Sequence, residues 1–356
     1  AGTVSATYAL ANALISPQVS RVVDRVGQSR VLIPTTIVAT VAFLVLIVAA
    51  NQGWPAWTLF VSALAAALMP SFPAMIRARW SELFRDRPEL NTAFAFESAA
   101  DELVYIAGAS LSVGLSVALF PEAGILASTL LLASGALAFI LQRSTEPKPS
   151  GNAGASGRSA IRQPAVQIVT LALIFVGATF ATAEVSAVAI TEALGEPGAA
   201  SLVIGVYAVG SFIVGLIVGA LNLKLPLQRR LLIALGVLAL TAWPLPFVGS
   251  VPMLAFAVFL SGVAISPTFI TAFGLIERRV PAAVLTEGIT WVMTGIGIGM
   301  ALGSFASGWV VDTFGPNNGF WVSVASAAAA FLTVFLGQRT LSGAPRLAGA
   351  VPQAAE

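Results

Sequence analysis

"SRVVDRVGQSR", residues 20–30, packs Arg21, Asp24, Arg25 and Arg30 into one short segment between two apolar stretches. Charge is scarce elsewhere: of 356 residues 10% are charged and 57% hydrophobic, and the mean hydropathy is +0.91, against about 25% charge in an ordinary soluble domain. That leaves too little polar surface to cover a water-soluble globule. The formal net charge is only +2, so no nucleic-acid partner is expected, and the placement of the charges carries the information. With no Cys and no His, disulfides, thiol chemistry and imidazole bases or ligands are excluded.

A hydrocarbon core of about 30 Å takes about 20 helical residues to cross. Apolar runs of that order cover 1–19, 31–50, 55–76, 93–119, 122–142, 164–193, 199–222, 231–249, 252–276, 283–311 and 320–338. Lipid cannot satisfy open backbone groups and the alternating strands of a membrane barrel are absent, so an all-α membrane protein with eleven crossings is expected. No basic stretch precedes a cleavable apolar core, and no signal peptide is expected.

The basic residues sort onto alternate loops. Arg21, Arg25 and Arg30 follow the first run; Arg77, Arg79, Arg85 and Arg87 the third; Arg143, Lys148, Arg158 and Arg162 the fifth. Lys224, Arg229 and Arg230 follow the seventh, Arg278 and Arg279 the ninth, Arg339 and Arg346 the last, which accounts for all 18 Lys and Arg. The loops between ("NQGWP", "FPEAG", "EALGEPGAA", "FVGSVP", "DTFGPNNG") hold none. The positive-inside rule makes the basic side cytoplasmic, including the C-terminal tail 339–356.

Residues 143–163, "RSTEPKPSGNAGASGRSAIRQ", are rich in Pro, Gly and Ser and read as a cytoplasmic linker. It divides the chain into a bundle over 1–142 and a bundle over 164–338, five helices against six. An outside N-terminus without a leader, together with this imbalance, leads us to expect that a twelfth helix precedes residue 1. The halves also echo each other: "MPSFPAMIRARW" matches "AISPTFITAFGLIERR" around Pro73 and Pro267, and "AFAFESAA" matches "AVLTEGIT", putting Glu97 opposite Glu287. Paired helical bundles are a layout of secondary transporters, whose site lies between them near the midplane.

The opening segment resembles the GxLaDRxGRR loop signature of the major facilitator superfamily. Arg21, Val22, Val23, Asp24, Arg25 and Gly27 fall on the pattern; Ser20 replaces its first Gly, and Gln28 and Ser29 replace basic positions. The resemblance in layout covers essentially the whole chain. It implies the major facilitator fold, two pseudo-symmetric bundles with 11 of 12 transmembrane helices present, and it makes the absent helix the first. It also implies that Asp24 lies near the start of the helix at Leu285, Thr286 and Glu287, forming a latch with Arg25, Arg77 or Arg79 as partners. The competing reading is that the arginines only set topology and Gly27 a tight turn; for Asp24, which adds nothing to orientation, the latch is preferred. Glu97 and Glu287 read as paired gate residues.

Glu97, Asp101 and Tyr105 share one helical stripe, with Glu102 beside it. An acid at the bilayer centre costs about 2.5–3.5 kcal/mol, so Asp101 is a candidate for proton coupling, or else an acid favoured in the opening turns of its helix. Glu184, deepest of the second half's acids, is the other candidate, or an outer-vestibule residue. Pro70, Pro73 and Pro267 are candidates to bend moving helices; "TGIGIGMALGSFASG" reads as close helix packing; Trp54, Trp57, Trp309 and Trp321 as interfacial anchors. Met69, Phe72, Tyr105, Tyr207, Phe269, Trp291 and Thr294 are candidates to line a substrate path.

Some family features are missing. In "YIAGASLSVGLS" Gly108 fits the antiporter signature but Ala109 stands where Pro is usual, and "TLFVSALAAALMP" lacks the expected Arg. The second-half loop "NLKLPLQRR" has lost the Asp, and Asp312 of "VVDTFG" reads as a turn residue. The function expected is alternating-access transport: efflux of a small amphipathic or drug-like compound by proton antiport, with proton-coupled uptake of a metabolite and a non-transporting membrane receptor or scaffold as alternatives. A monomer in the cell inner membrane, with no cofactor and no metal, is expected. An enzyme is not expected, since there is no nucleotide-binding loop and no convincing metal cluster.

Overall fold

The computed structural model describes the backbone of residues 2–150, 159–221 and 225–342. The middle of the expected linker, Lys224 and nearly all of the expected tail lie outside them. Thirteen α-helices and no strand occur among the described residues. In chain order they are α1 (Gly2–Val26), α2 (Gln28–Asn51), α3 (Ala56–Ala66), α4 (Phe72–Leu83), α5 (Glu89–Ala118), α6 (Ala123–Leu141) and α7 (Pro164–Ala193). The series continues with α8 (Ala199–Ala220), α9 (Leu227–Ala242), α10 (Val251–Gly262), α11 (Ile265–Arg279), α12 (Leu285–Phe314) and α13 (Phe320–Ser342).

Eight helical segments among the described residues are long and apolar enough to cross a membrane. The first run of the sequence is the single helix α1, which carries Arg21, Asp24 and Arg25 in its last turns, and the third run is split into the short α3 and α4. Large apolar side chains point outward along the helices, among them Val117, Phe305 and Leu336, each more than three-quarters exposed. In water such a surface would aggregate; in a bilayer it is solvated by acyl chains.

Of the three prolines expected to bend helices, Pro70 and Pro267 coincide with breaks, and Pro73 lies in the first turn of α4. Pro70 has no N–H to continue α3, and the chain restarts at α4 with the Ser71 hydroxyl accepting from the Ala74 N–H at 3.4 Å. Between α10 and α11 the break falls at Val263 and Ala264, where Pro267 deprives the ladder of one donor.

Two hydrophobic clusters form. One holds Val23, Val31, Leu32, Ala39, Met69 and Met75, with Phe72 packed against it. The larger is built mostly from α7 to α13 and also takes in Ala74, Phe94 and Ala95. Its centre is α7, two-thirds buried over its apolar stretch where α2 is barely more than a quarter buried. Small residues let α7 and α12 touch backbone to backbone: a Cβ on Gly299 would stand 1.9 Å from the Ile174 carbonyl oxygen, and one on Gly303 2.5 Å from Ala178 Cα. Between helices in lipid, this close packing replaces the hydrophobic drive available in water.

Candidate functional site

At the ends of the helices that carry the basic loops, hereafter the basic end, the first half of the chain is hydrogen-bonded to the second. Gly27 joins α1 to α2 with φ of +108°, a conformation open to glycine and strained for any side chain. The turn aims Asp24 at the start of α12. Its Oδ1 accepts from the Thr286 N–H at 3.1 Å and its Oδ2 from the Glu287 N–H at 2.9 Å. These are first-turn donors with no partner inside the helix, and the dipole there favours a carboxylate. Burial pushes the Asp24 carboxyl up from 3.8 to about 7, against the opposing pull of the hydrogen bonds from Thr286 and Glu287. One turn earlier, the Ser20 and Thr290 hydroxyls lie 2.9 Å apart.

The arginines expected beside Asp24 go elsewhere. Arg21 Nε lies 3.8 Å from Glu287 Oε2, and the other Glu287 oxygen accepts from the Ser159 hydroxyl and, at 3.4 Å, from Trp291 Nε1. Arg79 donates from Nε to Gln28 Oε1 at 2.7 Å and from its terminal nitrogens to the carbonyls of Gln142 (2.5 Å) and Phe139 (3.2 Å), with its guanidinium stacked 3.6 Å from the Phe139 ring centre. It thus ties α4 to the end of α6. Arg25 makes no ion pair among the described residues. Glu97 accepts from Trp80 Nε1 at 2.7 Å, so each of the two gate candidates receives a tryptophan N–H.

Arg77 is fully buried, yet its Nη2 reaches Asp101 Oδ2 at 2.7 Å. Nη1 donates to the Pro73 carbonyl at 3.2 Å, and the Phe273 ring lies 4.3 Å beneath the guanidinium carbon. The pair joins α4 to α5 and the ring adds α11, so a cation that costs several kcal/mol in lipid is held by a carboxylate, a carbonyl and a π face. Asp101 is the exposed member, at 40%. With Ser98 of the same helix it looks into a cavity of about 270 Å³ walled by Phe180 of α7, Phe269 and Phe273 of α11, and Met293, Ile296 and Met300 of α12.

Of the residues expected to line a substrate path, Phe269 is on this wall. Met69 and Phe72 belong to the first-half cluster. Tyr207 meets Phe180 edge to face with ring centres 5.4 Å apart and, with Glu184, borders a separate small space of about 10 Å³. Trp291 packs on the large cluster and Thr294 is half-buried. The side chains of Glu102 and Tyr105 lie outside the described residues. Phe180, Phe273, Met293, Ile296, Met300 and Ser98 escaped the sequence reading, although Phe269 and Phe273, like Ile296 and Met300, carry the i, i+4 spacing of a shared face. No cluster of acids able to hold a metal occurs among the described residues.

A cavity between halves, beneath a hydrogen-bonded closure, is the plan of an alternating-access carrier. The model of the Major Facilitator Superfamily matches residues 1–251 and 169–354, and the chain belongs to that superfamily of membrane transporters. No curated protein matches the sequence. Among solved structures, the human organic anion transporter MFSD10 (TETRAN) aligns with a TM-score of 0.71 at 14% identity, over 94% of this chain and 83% of its own. A bacterial homologue of the iron transporter ferroportin, in an outward-facing state, gives 0.72 at 16% over 95% and 90%. The E. coli fucose:proton symporter FucP gives 0.69 at 17% over 94% and 90%. At these identities the likeness is one of fold.

Proposed function

We propose that the protein exports a small amphipathic, drug-like compound in exchange for protons, by rocking two bundles, 1–142 and 164–338, about the cavity beside Asp101. It works as a monomer in the inner membrane, with eleven crossings in this chain and with linker and tail in the cytoplasm. The observation that carries the reading is the cavity wall: six apolar or aromatic side chains with one hydroxyl and one carboxylate. Such a wall offers area and aromatic faces but few of the directed polar groups that a sugar needs.

The Arg77–Asp101 pair supplies the coupling. Asp101 faces the cavity and can exchange a proton with it, while Arg77 stays charged behind. Protonating Asp101 removes the partner of a buried cation, an imbalance that raises the energy of one conformation relative to the other. Glu184 is the second coupling candidate. Arg21, Asp24, Arg25, Gly27, Arg79, Glu97 and Glu287 form the gate on the cytoplasmic side, with Arg77 linking gate and cavity.

The test is dye export from proteoliposomes across an imposed pH gradient. A lipophilic dye loaded inside should leave faster when the far side is acid, and Asp101→Asn should abolish that dependence. Flux insensitive to the gradient would sink the coupling. No flux of any amphipathic probe would favour the receptor reading.

A further inference from the structure

A separate groove of about 230 Å³ lies on the lipid-facing side of α8, α9 and the α10–α11 break. Val214 and Val218 stand one turn apart on α8; Ile233 and Val237 stand one turn apart on α9; Pro267 closes the far side. Ile233 and Val237 are 55% and 36% exposed, so the groove opens sideways into hydrocarbon rather than toward the central cavity. Arg230, one turn before Ile233, is the charged residue on its wall and stands at the rim on the basic end.

The charge of Arg230 is unbalanced. No carboxylate comes within ion-pair distance of it among the described residues. Nη2 donates to Asn91 Oδ1 at 3.1 Å, while the buried Nε makes no hydrogen bond among the described residues. The neighbouring charge that acts on it most is another cation, Arg278. A half-buried guanidinium with no carboxylate partner among the described residues calls for an anion, and the apolar trough below it calls for a hydrocarbon chain.

We infer that this groove binds an anionic phospholipid of the leaflet at the basic end, its phosphate neutralising Arg230 and an acyl chain lying along Ile233 and Val237. The position gives the lipid leverage. Asn91 lies in the first turn of α5 of the other half, and its amide donates to the carbonyls of Val218 (3.3 Å) and Gly219 (3.2 Å), while the Thr92 hydroxyl donates to the Gly219 carbonyl at 3.0 Å. A Cβ on Gly219 would come within 2.2 Å of Ala95 Cβ. The lipid phosphate therefore sits on a residue that is hydrogen-bonded across the halves, beside the close approach of Gly219 to Ala95, and occupancy favours the joined state.

The experiment is lipid binding by the full chain, delipidated in detergent and read by native mass spectrometry. The probes are dioleoyl phosphatidylglycerol, dioleoyl phosphatidylcholine and inorganic phosphate as competitor. Phosphatidylglycerol should bind about tenfold tighter than phosphatidylcholine, the scale of one charge-assisted contact. Arg230→Gln should erase the preference, Arg230→Lys should keep part of it, and Arg339→Gln, a cation removed at the same end of α13, should leave it intact. Val237→Trp, which fills the trough and spares the charge, should weaken both lipids. Equal binding of the two lipids, a preference that survives Arg230→Gln, or an equal loss in Arg339→Gln would overturn the inference. So would complete displacement by inorganic phosphate, since the trough would then contribute nothing.

Discussion

Arg77 and Asp101 are partners of unequal burial: the guanidinium side chain is 1% exposed and the carboxylate 40% exposed, with 2.7 Å between Nη2 and Oδ2. Removing one is therefore not equivalent to removing the other. Asp101→Ala strands a buried cation, and it should cost about 3 kcal/mol, within the range for breaking a buried pair. Arg77→Ala leaves a carboxylate that water in the cavity can reach, and it should cost less. The double variant should be more stable than Asp101→Ala alone. Thermal unfolding of the four proteins in one detergent checks the order; a double variant less stable than both singles would remove the pair from the energetics of the fold.

The Asp24 contact predicts a pH-dependent gate. In water the carboxyl ionises near 3.8; buried against α12 it does so at about 7. The joined state thus holds the proton more tightly than a state in which Asp24 meets water. Its advantage is fully present below about 4 and is lost as the pH rises through about 7, changing by up to about tenfold per pH unit between. The chain has no Cys, so spin labels on cysteines introduced at Leu83 and Arg278 report the opening cleanly. Acidification from pH 8 to 5 should shorten the distance, and Asp24→Asn should flatten the profile.

The start of the linker is fastened to the same hairpin. Glu146 accepts from the Ser29 N–H at 2.9 Å and the Ser29 hydroxyl at 2.5 Å, while the Ser150 N–H and hydroxyl each donate to the Asp24 carbonyl at 2.9 Å. Glu146 thereby caps the N-terminus of α2, where no residue of the helix itself does so. Glu146→Ala should cost about 1–2 kcal/mol, as loss of a cap does, and should speed hydrogen exchange over residues 28–32. Glu146→Gln retains an acceptor and should lose about half as much. Unchanged exchange in the alanine variant would show the linker to be a passive tether.

Glycines of α12 separate into two kinds. A Cβ at Gly299 runs into the Ile174 carbonyl, whereas one at Gly297 meets nothing within 4 Å. Gly299→Ala should lower stability by about 1–3 kcal/mol through overpacking. Gly297→Ala should be neutral or raise it by up to about 1 kcal/mol, because alanine restricts the unfolded chain more. Melting temperatures of the two variants decide it.

Much of the helical plan was legible because lipid imposes a length and a composition on every buried segment, and the loop charges are sorted in plain sight. The approach of Asp24 to residues 285–287 was reached through the family resemblance of its loop. The partners of the arginines were not legible: Arg77 and Asp101 are separated by a turn and lie on different helices, and nothing in spacing along one chain reports which cation meets which acid. The breaks in α3–α4 and α10–α11 were half-visible, since Pro70, Pro73 and Pro267 mark them but do not say whether a helix bends or stops. The cavity wall was least visible, because Phe180 or Met300 in an apolar run looks the same whether it faces lipid, core or an opening.

Asp24 grips α12 by its main chain, through the amides of residues 286 and 287. Any amino acid except proline presents an amide there, so the two sides of the gate are constrained very differently. Change of the side chain at residue 286 leaves both main-chain donors in place, whereas the hairpin, whose carboxylate accepts them, tolerates almost no change at Asp24 or Gly27. A chemical agent meant to jam this protein shut has correspondingly little to recognise on α12 and would have to be shaped to the hairpin.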